Sequence, residues 1–178
     1  MGPTQVSTIV SVYKAYTTRV GAGPYPSELN DETGELLRRR GNEFGTTTGR
    51  PRRTGWFDAV AARYTVRLNG VTHAAITKLD ILDPLQEIKV CTGYDLDGER
   101  LHAPHAVADV YGRVKPIFET LPGWQEDTSG VTDIDRLPEN AKRYLDRLEE
   151  HLGVPITMVG LGPSREQLLW RRQANVAE

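Results

Sequence analysis

The stretch from Pro138 to Gly162 constrains the fold more than any other part of this sequence. Ala141, Tyr144, Leu145, Leu148 and Leu152 recur at the three-and-four spacing that places them on one face of a helix. Gly153 and Pro155 end that helix. Pro155 to Val159 is an apolar run of strand length, and it leads directly into Gly160-Leu-Gly-Pro163. Amphipathic helix, tight break, buried strand and glycine turn, in that order, predict an α/β fold with a mainly parallel sheet. Ligands of such sheets sit in loops at the carboxyl ends of the strands.

The remainder carries the same alternation. Pro3 to Thr17 reads as a helix: Pro3 suits a first turn, and Val6, Ile9, Val10, Tyr13 and Thr17 fall at helical spacing. Gly21 to Pro26 is a rigid turn or loop. Thr33 to Arg40 reads as a short helix closed by Gly41, and Asn42 to Arg53 as a long polar loop, a length that usually signals function. A helical stripe of Phe57, Val60, Ala61, Tyr64 and Leu68 follows Gly55 and stops at Asn69-Gly70. Ala74 to Leu82 reads as a buried strand and Glu87 to Tyr94 as an alternating one, with Asp95 to Gly98 turning into Glu99 to Ala103. Residues 104–136 look irregular, with short strands near Lys115 to Thr120. The 178 residues suffice for one domain, residues 1–178, with a sizeable core.

Charge and cysteine content narrow the function classes. A formal net charge of −2 gives no basic footprint for nucleic acid. The local positive concentration, Arg38 to Arg40 with Arg50, Arg52 and Arg53, suits a small anion better than a long polyanion. Cys91 is the one cysteine, so no intrachain disulfide is expected, and its strand-like flanks predict a buried thiol. No apolar run is long enough to span a bilayer and no secretory signal is visible, so a cytoplasmic protein is the expectation.

Three constellations could hold a ligand. Asn42 to Arg53 offers the hydroxyls of Thr46, Thr47 and Thr48, glycines that admit a ligand close to the backbone, and the planar donor forks of Arg50, Arg52 and Arg53. It runs towards a helix start near Gly55, where free amides favour anions. The same composition equally suits a solvated basic loop. Lys78-Leu79-Asp80 sets two charges into an apolar strand pattern, which is costly unless they are paired or used. An Asp carboxylate accepts two parallel hydrogen bonds from N1 and N2 of guanine, and a Lys stem can cover the base. A plain Lys–Asp pair at a strand end fits the triplet as well. Gly160-Leu161-Gly162 can present backbone to a planar base or serve as an ordinary strand-end turn. Neither G-x-x-x-x-G-K-[ST] nor G-x-G-x-x-G occurs, and no nucleophile or general base stands out.

The segments Thr18-Arg-Val-Gly-Ala-Gly-Pro-Tyr-Pro-Ser-Glu-Leu29, Gly41-Asn-Glu-Phe-Gly-Thr-Thr-Thr-Gly-Arg50, Arg53-Thr-Gly-Trp-Phe-Asp58, Thr77-Lys-Leu-Asp80 and Leu121-Pro-Gly-Trp124, in this order, resemble adenylosuccinate synthetase. The likeness runs from about Gly2 to Arg165. It implies the C-terminal part of that family's P-loop-like α/β fold, a mainly parallel sheet with flanking helices and without the N-terminal strands. It further implies GTP-dependent ligation of L-aspartate to IMP, with Mg²⁺, in a homodimeric cytoplasmic enzyme of AMP synthesis. By the resemblance, Thr46 to Arg52 match the aspartate loop, Arg50 also touching IMP and Arg52 GTP. Lys78, Leu79 and Asp80, with Gly160, Leu161 and Gly162, match the guanine contacts, and Val20 matches a backbone contact to IMP.

Two departures stand inside these motifs. Pro51 replaces an arginine often found there, and Gly160 stands where serine is common. The family's phosphate loop, catalytic Asp and His, and Mg²⁺ ligand precede the matched region. The chain therefore reads as a truncated or partial member, inactive alone and without catalytic or metal-binding residues of its own. A stand-alone binding module and a poorly folding fragment with an open sheet edge are the other readings.

Overall fold

The computed structural model describes residue 2 and residues 5–171. In chain order the first elements are β1 (Val10–Lys14), β2 (Thr17–Arg19), α1 (Glu32–Arg40), β3 (Arg53–Gly55), β4 (Phe57–Asp58), α2 (Ala59–Asn69) and β5 (His73–Thr77). They are followed by β6 (Glu87–Leu96), β7 (Glu99–Leu101), α3 (Ala108–Tyr111), β8 (Lys115–Pro122), α4 (Glu139–Leu152), β9 (Ile156–Gly160) and β10 (Leu168–Trp170).

The central sheet has the order β1-β5-β9-β10. β1 and β5 run parallel in register Val10 to His73 through Lys14 to Thr77, and β5 and β9 are also parallel. Only the edge strand β10 is antiparallel to its neighbour. The mixed α/β class with a mainly parallel sheet is therefore the observed one. β2 and β3 form a small antiparallel ribbon, and β6 pairs with β4, β7 and most of β8.

The first predicted element is corrected. Residues 10–14 are a strand, not the middle of a helix. Val10, Val12 and Tyr13 suit a pleated surface, and a parallel partner more than sixty residues away supplies the ladder. Helical and strand periodicities coincide over so short an apolar run. The proposed helix start at Pro3 lies outside the described residues. Two boundaries also move. α2 begins at Ala59, where the Asp58 carboxylate accepts from the Ala61 amide at 3.0 Å, rather than near Gly55. β5 stops at Thr77, and residues 79–82 form a 3-10 turn. Among the described residues β1 pairs on one side alone, and Val12 on it is 68% exposed.

The predicted helix at Pro138 to Leu152 is present. Its stripe of Ala141, Tyr144, Leu145, Leu148 and Leu152 is buried, and Gly153 closes it in the left-handed conformation. Burying each such leucine stabilises by about 1.5–3 kcal/mol relative to leaving it exposed. The buried Tyr144 hydroxyl donates to the Ala15 carbonyl at 2.6 Å, and the Ala15 amide donates to Thr77 at 2.8 Å. Helix α4 thus fixes the chain just beyond β1 against the end of β5. Cys91 is buried on β6, and burial pushes its thiol up to about 12.

Candidate functional site

Strands β1, β5 and β9 are parallel neighbours, so their carboxyl ends lie side by side. Those ends carry Lys14, Lys78 and Gly160. This is where an open parallel sheet places its ligand crevice.

The groups there are organised by Glu43, a residue not among those the sequence marks for a ligand. Its side chain is 0% exposed. Both carboxylate oxygens accept from Lys14 Nζ at 2.8 Å. Oε1 also accepts from Lys78 Nζ at 2.8 Å and from the Tyr16 hydroxyl at 2.6 Å, and Oε2 from Arg52 Nη1 at 2.8 Å. Burial alone would raise its pKa, but the donors from Lys14, Lys78, Tyr16 and Arg52 outweigh burial and hold it at about 2. Burial and the adjacent Glu43 push the Tyr16 hydroxyl far above its ordinary range. Burial lowers the Lys14 pKa, with Glu43 opposing. Gly41 makes the cluster possible, because a Cβ there would lie 2.1 Å from the Tyr16 hydroxyl.

Glu43 also opens the threonine loop, which is a closed hairpin. The Arg52 amide donates to Glu43 O at 2.9 Å, the Gly45 amide to Arg50 O at 2.8 Å, and Pro51 bridges Phe44. Pro51 has no amide to lose, so this edge position tolerates it. Gly49 turns the tip at a φ of 64°, a left-handed value that favours glycine. The tip presents exposed Thr46, Thr47, Thr48, Gly49 and Arg50. Among the described residues no hydrogen bond or ion pair occupies the Arg50 guanidinium. Arg52, in contrast, is anchored on Glu43.

Arg53 is not a free fork. It grips Glu28 with two hydrogen bonds of 2.6 and 2.5 Å and donates to the carbonyls of Gly21 and Gly23. Arg19 donates to the Ala22 and Pro24 carbonyls of the same loop. Two arginines thereby shape the loop that begins at Val20, which is 78% exposed.

Lys78 sits in the left-handed region at φ 61°, a strained setting for a non-glycine residue. Its ammonium is committed to Glu43 and to the Gly41 carbonyl at 2.5 Å. That anchoring leaves its stem to meet a ligand. Asp80, two residues on, has the opposite character: its Oδ1 is buried and makes no hydrogen bond. Burial, then the charge of Asp83, raises its pKa to about 6. A cavity of about 590 Å³ opens beside it, lined among others by Arg40, Pro84, Gln125 and Ser129. The neighbouring Asp83 is satisfied by Trp124 Nε1 at 2.7 Å and by Thr128, which fixes the far wall of the cavity.

The Gly160–Gly162 turn flanks this wall. A Cβ on Gly160 would touch Thr77 at an ordinary 3.5 Å, whereas one on Gly162 would collide with Gln167, whose Nε2 donates to Ser129 O. The side chains of Leu79 and Leu161 are fully buried in the core, so only their backbone can face a ligand. The structure thus gathers Arg52, Lys78, Asp80 and the glycine turn at the sheet's end, with Arg50 and the threonines projecting from the hairpin. Glu43, Lys14 and Tyr16 escaped sequence reasoning. The one available signal was an acid set among six arginines.

Among the described residues no group of three or more His, Cys, Asp or Glu converges as a metal site. No described helix is long and apolar enough to cross a membrane.

A family model described as adenylosuccinate synthetase matches residues 1–169. The chain is 64% identical over 171 residues to adenylosuccinate synthetase of Thermomicrobium roseum, covering 96% of this chain and 40% of that protein. It is 53% identical over 169 residues to the Trichlorobacter lovleyi protein of the same name, covering 95% and 39%. The structure of a fully ligated adenylosuccinate synthetase from Plasmodium falciparum superposes with a TM-score of 0.92 at 38% identity, covering 97% of this chain and 42% of that one. A cyanophage S-2L succinoaminodeoxyadenylate synthetase, 17% identical with a TM-score of 0.51 over 94% of this chain and 34% of its own, shares the fold alone. The chain spans about 40% of the length of the curated relatives it matches. A family model over nearly the whole chain, a relative this similar and a superposition this close establish that the chain belongs to the adenylosuccinate synthetase family.

Proposed function

We propose that residues 1–178 form the C-terminal, substrate-recognising part of an adenylosuccinate synthase, which joins L-aspartate to IMP at the expense of GTP. The observation that carries this reading is the orphaned Oδ1 of Asp80. A buried acceptor without a donor costs free energy unless a ligand supplies one. Guanine does so with N1–H and N2–H, and adenine has no such pair. The pinned Lys78 stem would lie along the face of the base, and the backbone of Leu79, Gly160, Leu161 and Gly162 would border it.

The exposed hairpin supports the second half of the reading. Thr46, Thr47, Thr48 and the Gly49 backbone offer donors to the aspartate carboxylates, and the Arg50 fork suits a carboxylate or a phosphate. Arg52, on the hub between hairpin and base reader, can reach a nucleotide phosphate. The loop at Val20 would present backbone to IMP. Mg²⁺, when bound in the whole enzyme, offsets charge on the GTP phosphates, and none of the residues described here is assigned to it. The family setting implies a cytoplasmic homodimer.

The glycine at 160 yields a prediction. Gly160→Ser fits without a clash. One added hydrogen bond to the base is expected to tighten GDP binding roughly three- to tenfold. Isothermal titration with GDP checks it.

The proposal as a whole is tested by assay with IMP, L-aspartate, GTP and Mg²⁺. The isolated chain is expected to give no turnover. Turnover should appear when a separate polypeptide supplies the portion of a relative that this chain does not span. Turnover by the chain alone would contradict the assignment of recognition without phosphate chemistry.

A further inference from the structure

The two recognition regions meet on one buried side chain. Arg52 belongs to the hairpin, Lys78 to the base reader, and Lys14 and Tyr16 to the end of β1; all four donate to Glu43. Three cations on one carboxylate make a charged cluster whose members depend on each other. If Glu43 moves with the hairpin, the Lys78 ammonium loses its acceptor in a half-buried position, and such a loss is costly. Lys78 has a second acceptor in Gly41, which closes α1 just before Glu43. The stem of Lys78 is therefore held by the same segment that starts the hairpin.

We infer that Glu43 is a positioning residue that couples base recognition at Lys78 and Asp80 to the conformation of the threonine hairpin through Arg52. A purine nucleotide bound on one side then presets the hairpin for a dicarboxylate on the other, and the reverse holds by linkage. The inference rests on the ligand reading given above, but its mechanical half does not.

Residue-resolved hydrogen exchange separates the two. Glu43→Gln keeps the shape and removes the charge. Without ligand, the amides of Gly45, Gly49 and Arg52 and that of Ile81 are expected to exchange about tenfold faster or more, together. The amides of α4 should change no more than the stability measured by urea unfolding accounts for. Glu43→Asp, which keeps the charge on a shorter stem, should recover part of the protection. In the native chain GDP should slow exchange across the hairpin. In Glu43→Gln GDP should bind about tenfold more weakly, the size of one lost charge-assisted hydrogen bond, and leave the hairpin unchanged.

Loosening of the hairpin without the Lys78–Ile81 turn overturns the clamp, as does loosening that merely follows global stability. GDP binding to the native chain with no hairpin response overturns the coupling. Failure of GDP to bind the native chain overturns the nucleotide reading of Asp80 and the ligand half of this inference. The concerted loosening without ligand still decides whether Glu43 is a clamp.

Discussion

Asp80→Asn is expected to weaken GDP binding by about two orders of magnitude, the cost of two hydrogen bonds to a charged acceptor. It should also erase any preference for GDP over ADP, because the Asn amide offers guanine a donor where an acceptor is required. The same substitution should stabilise the unliganded chain. Burial and the nearby Asp83 raise the Asp80 pKa to about 6. The folded state therefore favours the neutral acid, and ionisation costs stability as pH rises through about 6. Solvent reaches part of the side chain, so the gain for Asn at pH 7 is set at about 1 kcal/mol rather than the full shift. That gain should shrink as the pH is lowered and vanish below the unfolded carboxyl value. GDP affinity of the native chain should likewise fall below pH 6 as the acceptor is protonated. Titration calorimetry across pH, paired with urea unfolding, measures both effects. A variant less stable than the native chain and undiminished in GDP binding would remove Asp80 from the site.

Glu43→Ala carries the second large effect, on stability. Removing the acceptor strands Lys14, Lys78 and Arg52 beside one another, and breaking a buried pair in this way costs about 3–5 kcal/mol. The cations keep some solvent, which places the loss near the lower end. The pH dependence is opposite in sign to that of Asp80. Burial alone would raise the Glu43 pKa, but its donors depress it to about 2, so its contribution is present above the unfolded value of 4.5. It is lost as pH falls from there through about 2. Glu43→Ala should flatten the acid limb of the stability profile, and urea unfolding between pH 3 and 7 reads it directly. A loss under about 1 kcal/mol would mean that the cluster is no more than a surface ion network.

The parts legible in the sequence were those with a local cause. The α4 stripe and the glycines at 153, 160 and 162 mark helix, stop and turn by themselves. The threonine hairpin was visible as a polar gap rich in Gly and Arg. β1 was not, because its ladder partner lies far along the chain and its apolar spacing fits two periods. The role of Arg53 was hidden for a similar reason: Glu28 and the carbonyls it holds come from a different loop. Glu43 was least legible. An acid among arginines reads as solvated charge, and its burial arises only when residues 14, 52 and 78 converge. Lys78 and Asp80 stand out in the sequence as charges in an apolar pattern, but their division of labour does not. One is tied down by its ammonium, and the other keeps a buried oxygen, Oδ1, without a donor.

The central claim is that this chain reads a guanine base at Asp80. Titration calorimetry of the native chain with GDP and with ADP at pH 7 tests it most directly. GDP is predicted to bind at least about tenfold more tightly than ADP, the margin set by the donors adenine lacks. Equal affinity for the two nucleotides, or no binding of GDP, would contradict it.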